Sequence, residues 1–176
     1  MAASSKPIRK RSVDLTFVWL QAVRTQVERV IDVIDESPLD LTQRRIDSYL
    51  LVLALHQVHR AAALALTDLP PASASLTQAR GAIEVFEQAV PGFKDARDAV
   101  DHFDAYIQGI GDKQQPEVKR ARRQARPDLG DAHNEFVSRI DGDFVITIGT
   151  AEVSALDAEE AASVLAHDLD QAVRLA

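Results

Sequence analysis

The sequence predicts a mainly α protein: a four-helix up-down bundle carrying a small C-terminal β-hairpin and a closing helix. Three observations lead there. Apolar residues recur at alternating spacings of three and four through four successive segments, as in helices that bury one stripe. Aromatic residues make up 5% and glycine occurs seven times in 176 residues, a composition that favours helix over sheet. An Asp-Gly pair, Asp141-Gly142, sits between two runs that alternate apolar and polar residues, the strongest short hairpin signal.

A chain of this length fits one domain and can bury a proper core. Residues 1–12 hold Lys6, Arg9, Lys10 and Arg11 with no acid, and read as a disordered basic arm. No apolar stretch of the signal-peptide kind follows it. Helix 1 is predicted from about Asp14 to Asp35, with Leu20, Val23, Val27, Val30, Ile31 and Ile34 as its buried stripe. Pro38 and Asp40 break the chain. Helix 2 covers about Thr42 to Leu66, charged in its first turn (Arg44, Arg45, Asp47) and then almost continuously apolar, as a central helix should be. Its apolar runs, Tyr49–Leu55 and Ala61–Leu66, are short for a bilayer span. A soluble cytoplasmic protein with no membrane partner is the expectation.

Pro70-Pro71 marks a loop, after which Ser75 and Gln78 form a capping box at the start of helix 3. Leu76, Ala79, Ile83, Phe86 and Val90 supply its stripe, and Gly81 within it reads as a close helix crossing. Helix 4 lies within Pro91–Gly111, opened by a Pro-Gly break and closed by Gly109 and Gly111. Phe93, Ala96, Val100, Phe103 and Ile107 face its core. The bundle thus spans residues 13–111. Residues 112–176 add a basic loop with a short helix across Glu117–Ala125, the hairpin, and a last helix capped by Asp157 with Glu160 at the box position, all packed on the bundle.

Charge and residue usage narrow the chemistry. The net charge of −7 conceals a basic arm of +4 and a basic segment, residues 113–126, of +5, which leave −16 on the rest. Such a body can hold nucleic acid locally but not through its overall field. With no cysteine there is no disulfide, thiol nucleophile or Cys-ligated zinc. None of the five histidines has an acid three residues before it, so the Glu-x-x-His signature of carboxylate-bridged bundles is absent. His56 and His59 share a face of helix 2 and read as half-buried histidines satisfied by neighbours. No cofactor or metal is expected.

The polar face of helix 4 carries the functional reading. Arg97-Asp98-Ala99-Val100-Asp101-His102, on a helix of an all-α bundle, resembles the R-x4-6-H motif of the HEPN superfamily. The resemblance covers residues 13–111 and implies a metal-independent endoribonuclease, of the toxin or stress-defence kind, acting as a homodimer on RNA and partnered by an antitoxin protein. RNA brings its own nucleophile, the 2′-OH, so the enzyme moves protons and stabilises the phosphorane. The resemblance makes His102 the general base or acid and Arg97 the phosphate clamp; the residue types suit those tasks. Asp98, one turn before His102, would orient the imidazole. Lys119, Arg120, Arg122, Arg123 and Arg126, with Tyr106, are the candidate substrate-binding residues. In many toxin-type relatives a tyrosine stands two residues after the histidine; here Asp104 takes that place.

Arg97 and His102 are about 140° apart around a straight helix. That separation fits a composite site at a two-fold interface, with an arginine from one chain near a histidine from the other. The alternative is a catalytically inactive helical module that binds RNA or a protein, in which Arg97 and Asp98 form a surface ion pair.

Overall fold

In α1 (Lys6–Asp32) four residues of the predicted stripe, Leu20, Val23, Val27 and Val30, are almost fully enclosed; Ile31 is partly buried, and Ile34 lies outside the described residues. The computed structural model describes residues 6–32, 38–67, 69–101, 136–140, 143–148 and 151–176. Five helices and one small antiparallel sheet occur among them: α1, α2 (Pro38–Leu66), α3 (Ala74–Ala89), α4 (Phe93–Asp101), β1 (Phe136–Ile140), β2 (Asp143–Ile148), β3 (Ala151–Ser154) and α5 (Ala155–Arg174). The protein is therefore mainly helical.

α1 starts earlier than its stripe predicts, taking in residues 6–12 of the expected disordered arm. The reason is visible in the second turn. Ser12, Val13 and Thr16 are buried, and the Thr16 hydroxyl donates to the Ser12 carbonyl at 2.9 Å. The apolar face thus continues through two small polar residues, which a hydrophobic count passes over.

α2 is the centre of the core. Leu51, Val52, Leu55, Val58, Ala62 and Ala65 are buried, and α1 packs along its length. The stretch Gln43–Leu66 is long and apolar enough to cross a membrane by length and composition, although each separate apolar run is short. Within its most apolar 18 residues, 44% are buried inside the protein. α2 begins at Pro38, inside the predicted break, and Arg44 and Asp47 in its second and third turns are buried. Arg44 Nε donates to the Val30 carbonyl at 3.2 Å, and its guanidinium sits 5.1 Å from the Phe144 ring centroid. A buried charge is tolerated when its donors find partners, here at the end of α1.

Ser73, not Ser75, caps α3: its hydroxyl accepts from the Leu76 N–H at 3.1 Å, while Ser75 is buried. Gly81 is not a close crossing, since a Cβ built there meets nothing within 4 Å. The glycine only weakens the helix, so Gly81→Ala is expected to raise unfolding stability by about 1 kcal/mol in urea denaturation. A loss would mean that the backbone there needs glycine.

The hairpin forms as predicted, with Ile140 opposite Asp143 and Phe136 opposite Thr147. Phe144, Ile146 and Ile148 alternate into the core. β3 adds a third strand in the order β1-β2-β3, with Val153 opposite Ile146. Four residues were too few to announce a period-two pattern. The cap of α5 is correspondingly Ser154, whose hydroxyl accepts from the Asp157 N–H at 3.0 Å; Asp157 lies inside the helix.

α5 closes the core. Ala155, Ala158, Ala161, Ala162, Ala166 and Ala172 are buried with Leu165 and Leu169. Alanines let helix axes approach closely, and α5 packs on both α1 and α3. Arg24 of α1 reaches across to Glu159 at 3.5 Å and to the Ser163 hydroxyl at 3.2 Å. α4, in contrast, packs on α2 and on the sheet.

Candidate functional site

Beside its core face, α2 presents a mixed polar and apolar face. His56, His59, Arg60, Ala63, Leu64 and Thr67 recur at helical spacing and line one wall of an open cleft of about 850 Å³. Leu15 and Trp19 of α1 form a second wall, and Arg97 of α4 enters from a third side. The cleft thus gathers two histidines, two arginines and the single tryptophan of the chain.

Arg97 is oriented by its own helix. One terminal nitrogen is 2.9 Å from Asp98 Oδ1 and the other 3.3 Å from Asp101 Oδ2. Its Nε is buried without a hydrogen-bond partner. Asp98, expected to orient His102, is thus engaged with Arg97. His102 and Tyr106 lie outside the described residues, as do Lys119, Arg120, Arg122, Arg123 and Arg126.

The two histidines of α2 have different surroundings. His59 Nε2 is 2.7 Å from Glu87 Oε1, and its ring lies 5.4 Å from the Phe93 ring and 6.2 Å from that of Phe86. Glu87 in turn holds Lys94 at 2.7 Å. That hydrogen bond from Lys94 is the main force keeping the Glu87 carboxyl below its usual pKa; burial works against it and the bond to His59 adds to it. Reading His59 as satisfied by a neighbour is therefore sound.

His56 is different. Its Nδ1 is buried and has no hydrogen-bond partner. Burial lowers its pKa, and the charges of Arg97, Arg60 and His59 lower it further, while Asp101 acts the other way. Folding therefore opposes protonation of His56. Its stabilising contribution is complete above the ordinary histidine pKa of 6.5 and is lost as pH falls through the lowered folded-state value. Between about pH 7.5 and about pH 5, the wild type is expected to lose more thermal stability than His56→Gln does. Equal losses would remove His56 as a folding-linked group.

Among the described residues, no group of three His, Asp or Glu side chains is placed to hold a metal ion. The cleft brings two arginines and two histidines together. Its arginines can hold an oxyanion, and a neutral imidazole can accept a proton. Arg97 and the histidine pair are each legible in the sequence, but their juxtaposition is not, because α2 and α4 meet only in the fold. One signal was present: His56, His59 and Arg60 interrupt an apolar helix at positions that share one face.

No family model, curated protein or solved structure matches the chain.

Proposed function

We propose that the protein is a HEPN-like metal-independent endoribonuclease, a cytoplasmic toxin or stress-defence component built on an up-down helical bundle. Arg97 clamps the scissile phosphate, and His102 moves the proton of the 2′-OH or of the leaving oxygen. Two copies contribute to a shared cleft, and an antitoxin protein is the natural partner of such an enzyme. The observation that carries the reading is the place of Arg97 on the wall of an open cleft, with Nε left unbonded. A phosphodiester supplies the acceptor oxygens that a guanidinium fork suits.

The aspartates that pair with Arg97 favour a second reading. Asp98 and Asp101 already occupy its terminal nitrogens. In a catalytically inactive module, these pairs would fix the surface of α4 for RNA or protein binding. Incubation of the full chain with single-stranded RNA in EDTA separates the two. Cleavage that survives chelation and is lost in a folded His102→Ala variant is expected; cleavage unchanged in that variant removes His102 from the mechanism.

A further inference from the structure

We infer that His56, Arg60 and Arg97 of one chain form a binding site for the phosphodiester oxyanion, with Trp19 beside it. The inference rests on the ribonuclease reading above and gives Arg97 a histidine partner within its own chain, from α2. No second copy is needed to assemble this part of the site.

Three observations converge on it. His56, Arg60 and Arg97 line the same cleft from two different helices. The buried atoms His56 Nδ1 and Arg97 Nε both lack hydrogen-bond partners, and buried polar atoms ordinarily have them. Arg97 and Arg60 also act electrostatically on His56, so all three groups lie within one field.

The charges facing the site set its chemistry. From α4 come Arg97 with Asp98 and Asp101; from α2 come Arg60 and His59; from α1 come only Leu15 and Trp19. The neighbouring Glu87 and Lys94 pair with each other. The two arginines and the two aspartates of α4 cancel while His56 is neutral. An entering oxyanion therefore gains most when His56 takes up a proton, which makes anion binding and protonation mutually reinforcing.

Sulfate is a suitable probe because its charge stays constant from about pH 5 to about pH 8, whereas phosphate itself titrates. Trp19 is the only tryptophan, so its fluorescence reports the cleft directly. Titration of the full chain is expected to give a saturable change whose affinity falls by about tenfold per pH unit above the His56 titration. Arg97→Gln should weaken binding at least about tenfold, the scale of one lost charge-assisted bond. His56→Asn should abolish the pH dependence, with helix content checked by circular dichroism.

Binding that is pH-independent, that keeps its pH dependence in His56→Asn, or that both variants leave intact would overturn the site. The last result would place the anion elsewhere, for instance on residues 113–126. A single-stranded oligodeoxynucleotide should displace sulfate, because it presents the same phosphodiester. Failure to displace it would mean a free-phosphate site and overturn the phosphodiester assignment. A chain that binds sulfate in this way but cuts no RNA retains the anion site and loses the ribonuclease reading. One that cuts RNA without it shows the reverse.

Discussion

Arg97→Ala is expected to lower RNA cleavage by about 10²–10³-fold, the usual effect of removing one preorganised stabiliser of developing charge. Stability should change little. The side chains of Asp98 and Asp101 are 37% and 40% exposed, so water takes over their solvation once the guanidinium is gone. Exposed pairs of this kind contribute about 0–1 kcal/mol. Arg97→Lys separates charge from shape: it keeps the cation but loses the planar fork, and should recover only part of the rate. Full activity in Arg97→Ala, measured as initial cleavage rate on a defined RNA, would remove the arginine from the chemistry.

Gly92→Val should strongly destabilise the fold, by about 3 kcal/mol or more in urea unfolding. Gly92 opens α4 against β3, and its amide environment is crowded by backbone. A Cβ there would run into the Glu152 carbonyl oxygen and lie 3.0 Å from both the carbonyl carbon and the nitrogen of Glu152. Glu152 is paired with Thr147 of β2, so the sheet cannot yield without loosening its ladder. Gly92→Ala meets the same atoms and should lose about 2 kcal/mol. Because this seat positions the helix that carries Arg97, both variants should also lose cleavage. A loss below about 0.5 kcal/mol in Gly92→Ala would mean that α4 does not rest on β3 in this way.

These two residues illustrate what a sequence discloses. The apolar stripes of α1 and α3 were legible because 3.6-residue periodicity is a local property: Val23, Val27 and Val30, or Leu76, Ala79 and Phe86, announce their face without reference to a partner. The hairpin was legible for the same reason, through Asp141-Gly142 and the alternation of Phe144, Ile146 and Ile148. The burial of Arg44 was not legible, because it depends on a carbonyl at Val30 and an aromatic ring at Phe144, far along the chain. Caps at Ser73 and Ser154 were displaced by two and three residues from Ser75 and Asp157, since neighbouring Ser and Asp residues offer the same chemistry. The crowding at Gly92 and the cleft joining His56 to Arg97 depend on the packing of separate elements. No local pattern encodes them.

The most direct measurement is cleavage of one RNA oligonucleotide by the full chain in EDTA, alongside the same oligonucleotide with deoxyribose throughout. A nucleophile carried by the RNA itself requires that the first be cut, leaving a 2′,3′-cyclic phosphate or its hydrolysis product, while the second stays whole. Cutting of both strands, or cutting that chelation stops, would contradict the account.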